Sequence, residues 1–255
     1  MAKIISIANQ KGGVGKTSTA VNLVTALSAV ERKILLIDMD PQGNATTGFG
    51  IDKSTIGMTV YDMLINGTDF SQIKRAVYPP FLDLIPATPD LSGAEVELAG
   101  EKDRAVRLKE QLIGSQDDYD YIFIDCPPSL GLLTLNALVA ADEVLIPLQT
   151  EFYALEGLSQ LSRTVEIAKQ QLNPELKISG IVLTMYDKRN NLSANVEEEV
   201  RSYYPELVYE TVIPRNVRVS EAPSFGKPVL WYDIRSTGAQ AYIQMATEFL
   251  EREEC

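Results

Sequence analysis

The chain has 255 residues, 35 acidic and 23 basic, for a net charge of −12, and it contains no histidine. A Ser-His-Asp triad, an HExxH zinc site and imidazole acid-base chemistry are therefore excluded, leaving carboxylates, lysines, backbone amides and a borrowed metal as the catalytic inventory. That inventory suits phosphoryl transfer, which asks mainly for positioning and charge stabilisation, while the acidic balance speaks against polyanion binding unless a local basic patch dominates. No apolar run approaches the roughly 18 residues a membrane span needs, and the opening MAKIISIANQKGG lacks a cleavable signal. Cys126 and Cys255 cannot build a disulfide framework, and Cys126 falls inside an apolar strand pattern where a buried thiol is expected. A soluble, cytoplasmic protein follows from these features.

The first predicted strand, residues 4–8, runs into Lys11-Gly12-Gly13-Val14-Gly15-Lys16-Thr17 and then into a predicted helix over 16–30. At the carboxyl end of a strand leading into a helix, glycines let successive backbone amides converge on an anion. Lys16 then supplies a point charge to the β- and γ-phosphates, and the Thr17 hydroxyl can ligate magnesium. A glycine-rich turn carrying lysines by chance would not be expected to have this position, composition and flanking pattern together. The second predicted strand, 34–38, ends in Asp38-Met39-Asp40, placing two carboxylates beside the loop if strands one and two are near neighbours. Alternation in an extended chain makes Asp38 and Asp40 face the same way. Residues 40–59 read as a polar loop with a functional role.

Further strands are predicted at 82–86, 121–125, 143–147, 178–184 and 207–212, each a nearly continuous apolar run of the kind buried on both faces. The run over 121–125 ends in Asp125 and continues Cys126-Pro127-Pro128-Ser129. Helices are predicted at 94–112, 132–140, 155–172, 193–203 and 238–252. Strand and helix alternating this often imply an α/β fold, a doubly wound, mostly parallel sheet with helices on both faces. Without an internal repeat or long linker, a single domain spanning 1–255 is expected.

A standard phosphate loop would carry glycine where Gln10 stands. The segment resembles instead the deviant Walker A box, K-G-G-x-x-K-[ST], of the ParA/MinD class of dimerising ATPases. The stretches DMDPQGNATTG, IDCPPSLGLLTLNAL, EFYALEGLSQL and VIPRNVRVSEAPSFGKPV extend the likeness over essentially the whole chain, towards the ParA/Soj partitioning family. The resemblance implies that ATP and Mg2+ are the cofactors and that nucleotide is held by Lys11, Gly12, Gly13, Val14, Gly15, Lys16, Thr17 and Ser18. Met185, Pro214 and Asn216 would line the adenine pocket. Lys11 would reach the phosphates bound to the other subunit of an ATP-dependent homodimer, much as an arginine finger acts in trans. Asp40 would orient the attacking water, Asp38 would sit in the outer shell of the metal, Asp125 would be the Walker B carboxylate, and Pro127 and Pro128 would stiffen a second switch.

By the same resemblance, the ATP dimer coats DNA non-specifically, is nucleoid-associated in that state, and is released when a ParB-like centromere-binding partner stimulates hydrolysis. Arg189 and Arg218 would contact DNA. Around them Arg215, Lys227 and Arg235 outweigh Glu221 and Asp233, with Lys188 and Arg189 in a polar loop nearby. Charge alone does not separate such residues from ordinary solvated surface. A MinD-like positioning ATPase shares the loop and switches, but the acidic ending Glu248 to Cys255 would be repelled by anionic lipid, so no membrane partner is expected. An electron donor with a bridging cluster lacks suitably placed cysteines. A metabolic ligase of the same superfamily stays open.

Overall fold

The computed structural model describes residues 1–254; Cys255 lies outside them. Seven strands, β1 (Lys3–Ile7), β2 (Ile34–Asp38), β3 (Arg75–Tyr78), β4 (Leu82–Ile85), β5 (Tyr121–Asp125), β6 (Glu143–Gln149) and β7 (Lys177–Thr184), form one sheet in the order β3-β4-β2-β5-β1-β6-β7. Every neighbouring pair is parallel except β3 with β4. The helices are α1 (Lys16–Ala29), α2 (Asn44–Gly48), α3 (Val60–Asn66), α4 (Phe70–Ile73), α5 (Leu91–Glu97), α6 (Arg107–Gln111), α7 (Leu132–Ala140), α8 (Ala154–Gln171), α9 (Asn191–Tyr203), α10 (Val217–Glu221), α11 (Val229–Tyr232) and α12 (Thr237–Glu254).

The apolar runs of the strands are explained by two cores, one on each face of the sheet. Leu35, Ile37, Ile122 and Ile124 point into a core shared with α3 to α9, whereas Ile34, Leu36 and Phe123 point into one shared with α1, α2, α11 and α12. With side chains alternating along a strand, both sets must be apolar, and the sequence therefore reads as continuous rather than alternating. The expected doubly wound, mostly parallel architecture is the one observed. From β1 the chain passes through α1 to β2 on one side, and later from β5 through α7 to β6 on the other, so the connections reverse around the carboxyl end of β1.

Strands one and two are near neighbours with β5 between them, so it is β5 that pairs with both. Several local expectations are corrected. The helix expected over 94–112 is broken into α5, a 3-10 turn Leu98–Gly100, and α6. Gly100 followed by Glu101, Lys102, Asp103 and Arg104 offers no apolar residue at helical spacing to bury there. The strand expected over 207–212 is reduced to one isolated bridge, Ile181 with Val208, and a second, Tyr186 with Pro214, lies just beyond it. The backbone amides of Glu210 and Thr211 are taken by the Glu248 carboxylate of α12 at 2.8 and 2.9 Å, which interrupts pairing with β7 until Ile213 N reaches Leu183 O at 2.8 Å. The loop expected over 40–59 contains α2 and a 3-10 turn Lys53–Thr55, both too short to carry a readable periodicity.

Candidate functional site

The turn after β1 is pinned at three points. Asn9 Nδ2 donates to Pro147 O at 2.8 Å while its Oδ1 accepts from Lys11 N at 3.0 Å, and Thr184 Oγ1 donates to Val14 O at 2.8 Å. The backbone enters the left-handed region at Gly13 (φ 76°) and Gly15 (φ 89°), where a side chain would be strained. Thus Val14 is buried against the body, and the turn opens towards solvent at the amino terminus of α1, where four backbone amides have no intrahelical acceptor.

This opening is a cleft of about 380 Å³ whose walls include Gly12, Gly13, Gly15, Lys16, Thr17, Ser18, Asp40 and Met185, together with Gln42, Asn44 and Pro128. Lys16 is buried beneath it and its ammonium donates to Lys11 O at 3.0 Å. Burial pulls the Lys16 pKa down, and the nearby Asp125, Cys126 and Asp40 oppose that shift. A cation so placed, bonded only to a neutral carbonyl, favours the arrival of an anion. Lys11 stands at the rim, exposed, with its ammonium on the Glu151 carboxylate.

The acidic residues part company just where β2 ends. Asp38 and Asp125 are in register on neighbouring strands, both fully buried. Asp38 Oδ2 accepts from Thr46 N at 2.8 Å and Thr46 Oγ1 at 2.7 Å, and its Oδ1 accepts from Asp40 N at 3.2 Å. Burial pushes its pKa up to about 6 despite those three donors. Asp40, beyond the strand, no longer follows its alternation: it lines the cleft, with one oxygen accepting from Gln42 N at 2.9 Å.

Among the described residues neither buried carboxylate oxygen of Asp125 has a well-formed hydrogen bond, and the Thr17 hydroxyl is the donor that faces them. Burial, and then the Asp38 charge, drive its pKa well above the ordinary value, with Thr17 and Lys16 pulling the other way. An orphaned buried carboxylate is costly unless something cationic completes it, and the hard oxygen donors here, with the Thr17 hydroxyl close by, fit magnesium. Among the described residues no group of three or more His, Cys, Asp or Glu side chains could hold a metal by itself. An ion here would share its coordination with phosphate oxygens and water, as magnesium usually does.

The residues expected to form the adenine pocket are only partly gathered. Met185, at φ 51°, lines the cleft, and the following residue joins it to the 213–215 segment: Tyr186 N donates to Ile213 O at 3.0 Å and Arg215 N to Tyr186 O at 2.9 Å. Pro214 instead lines a larger neighbouring groove of about 890 Å³. The Asn216 side chain is engaged in capping α10, accepting from Arg218 N at 2.8 Å and Val219 N at 3.3 Å and donating to Thr237 Oγ1 at 2.8 Å.

Four cations, Lys188, Arg189, Arg215 and Arg235, line that larger groove. The Arg189 side chain is 89% exposed and makes paired 3.0 Å bonds to Asp187, which hold the Asp187 pKa down to about 2. Arg218, on α10, pairs with Glu221 at 2.9 Å and with Asp233 at 3.5 Å. Both arginines thus have carboxylate partners in their own chain. The helix α12, whose first turns also line that groove, buries Ala239, Tyr242, Met245, Ala246 and Phe249 in the second core, so its apolar face is already occupied. Cys126 is buried, and that burial raises its thiol pKa.

Sequence reasoning missed Asn9 and Thr184, which hold the turn, Thr46, which holds Asp38, and Glu151, the partner of Lys11. Each acts on a residue remote in the chain or through a short polar helix, and no local pattern marks either kind.

Known proteins share this sequence pattern and fold. A protein-family model described as an AAA domain matches residues 2–178. The chromosome partitioning protein ParA of Myxococcus xanthus is 54% identical over 253 residues, covering 99% of this chain and 89% of that protein. The sporulation initiation inhibitor protein Soj of Bacillus subtilis is 56% identical over 248 residues, covering 97% and 98%. Among solved structures, a Mycobacterium smegmatis protein described as cobyrinic acid a,c-diamide synthase, with bound ADP and magnesium, superposes with a TM-score of 0.87 at 36% identity, covering 100% of this chain and 96% of that one.

Proposed function

The chain belongs to the ParA/Soj family of partitioning ATPases, and from that premise we propose that it works as a nucleotide-operated DNA switch built as a single ATPase domain over residues 1–255. The observation carrying this reading is the orphaned Asp125 carboxylate at the foot of a pinned, glycine-turned loop. That combination suits a triphosphate accompanied by magnesium. Backbone amides of residues 12–18 and the Lys16 ammonium bind the phosphates, and Lys16 exchanges its bond to Lys11 O for phosphate oxygens. Thr17 Oγ1 and Asp125 are the residues that would hold magnesium, which would supply charge neutralisation to the phosphates. Asp38 spends its lone pairs on Thr46 and Asp40, which suits an outer position, while Asp40 faces the cleft and orients the attacking water. Met185 and the 214–216 segment flank the base.

Lys11 completes the phosphate site of a second copy, so that ATP binding and dimerisation are one event. Two subunits together double the basic face carrying Arg189 and Arg218, which makes non-specific DNA affinity conditional on nucleotide. A ParB-like centromere-binding protein stimulates hydrolysis and resets the switch, and the ATP dimer associates with the nucleoid in the cytoplasm. A membrane-positioning role is less favoured, because the apolar face of α12 is packed into the core. The ligase reading has a 36% identical structure on its side, against 54 to 56% identity for the partitioning proteins.

Filter binding to non-specific duplex DNA with ATP, ADP and no nucleotide, at two salt concentrations, tests this function. Binding is expected with ATP only. Arg189→Glu with Arg218→Glu is expected to lower it about tenfold or more and to flatten its salt dependence, because phosphate contacts are lost from both subunits. Equal retention with ADP and ATP, or a double variant that binds like the parent, contradicts it.

A further inference from the structure

The two lysines of the loop are both engaged inside their own subunit, on partners of different kinds. Lys16 Nζ donates to a neutral carbonyl, Lys11 O, at 3.0 Å, whereas Lys11 Nζ is paired with the Glu151 carboxylate, 140 residues away. The fold brings this pair together through the ends of β1 and β6. Asn9 clamps the start of the loop to Pro147 O, and a tight turn, with Glu151 N on Gln149 O and Ala154 N on Glu151 O, both at 2.9 Å, sets Glu151 between β6 and α8. The pair is open to the outside, its side chains 45% and 33% exposed. Beside it, Phe152 and Tyr153 are 76% and 64% exposed, packed edge to face at 5.1 Å.

We propose that Glu151 is a parking site for Lys11, which keeps the lysine on its own subunit until the triphosphate bound to a second copy takes it over. The inference rests on the proposed trans role of Lys11 and adds to it a positioning residue and a threshold. Dimerisation then becomes an exchange of one anion for another. A triphosphate, bearing more charge than a single carboxylate, wins the exchange, and losing the γ-phosphate tips it back towards Glu151. An exposed ion pair of this kind changes an equilibrium by about two- to fivefold. A dimer must break two of them, so the factors multiply to about 4- to 25-fold in its dissociation constant.

Two measurements on full-length Glu151→Gln decide the matter. In nucleotide-free protein, trace acetylation with acetic anhydride, read by peptide mass spectrometry, is expected to label Lys11 about two- to fivefold faster than in the parent. In sedimentation runs over a dilution series with magnesium and a non-hydrolysable ATP analogue, the variant is expected to dimerise about 4- to 25-fold more tightly. Glu156→Gln, an exposed acid one turn along on α8, is expected to match the parent in both. Unchanged Lys11 labelling overturns the pair itself. Faster labelling with unchanged or weaker dimerisation overturns the parking role, and weakening assigns Glu151 to the dimer interface instead. A parent chain that stays monomeric with the analogue overturns the trans reading of Lys11 on which the exchange depends, while the labelling still reports on the pair.

Discussion

Asp125, at the end of β5, and Lys16, at the head of α1, are buried without a carboxylate or ammonium partner among the described residues; Arg189, lining the large groove, and Arg218, on α10, are 89% and 52% exposed and each is bonded to a carboxylate of its own chain. Both regions are read as phosphate-binding, yet their charges are stored differently. In the cleft, desolvation leaves groups whose charge is stabilised only when a ligand arrives, so the site is built before it is used. On the basic face, water and intramolecular partners already satisfy the arginines, and a polyanion must displace them one by one. Effects in the cleft should accordingly be large and nearly indifferent to salt, whereas those on the face should be smaller and strongly screened.

The largest effect is expected from Lys16→Ala. It removes the buried ammonium from the phosphates and is expected to lower ATP affinity by about 100-fold or more, measured by equilibrium dialysis, with little change between low and moderate salt. Affinity within a few-fold of the parent would mean that the cleft does not hold the phosphates.

Next in size is the cost of holding Asp38 and Asp125 buried. Both titrate above the ordinary value of 3.8, Asp38 near 6 and Asp125 also well above normal. The folded ligand-free chain therefore keeps protons that the unfolded chain has released. Its stability is expected to fall as pH rises from about 4 towards 6 and above, because the unfolded state binds fewer protons over that window. Asp125→Asn removes the orphaned carboxylate and is expected to raise the ligand-free melting temperature at pH 7 by about 3 to 6 °C while weakening the pH dependence. A lower melting temperature would show that Asp125 is already satisfied. At the small end, the Arg189→Glu, Arg218→Glu double variant is expected to melt within about 1 °C of the parent, since surface substitutions away from buried groups usually change little.

The two regions also differ in how far the sequence discloses them. Strands such as β2 and β5 were legible because burial on both faces demands unbroken apolar runs, and the phosphate loop because its glycines and lysines sit directly after one of them. Asp125 announced itself by ending such a run. By contrast β3 is a short, largely exposed edge strand with no pattern to read, and the expected strand over 207–212 was lost to a carboxylate from α12. Asn216 shows what a motif does not disclose: in the ligand-free chain its amide caps α10 and bonds Thr237. Glu151 reaches Lys11 only across the assembled sheet, and Thr46 reaches Asp38 from a helix too short to carry a readable pattern.

Isothermal titration of ATP into the full-length chain, with and without magnesium and repeated on Asp125→Asn, tests the central claim most directly. A seat for a magnesium-bound triphosphate on the loop after β1 predicts saturable heat in the parent that depends on magnesium, a higher melting temperature in the complex, and loss of the magnesium dependence in Asp125→Asn. No heat and no thermal protection in the parent, or the same magnesium dependence in Asp125→Asn, would contradict it.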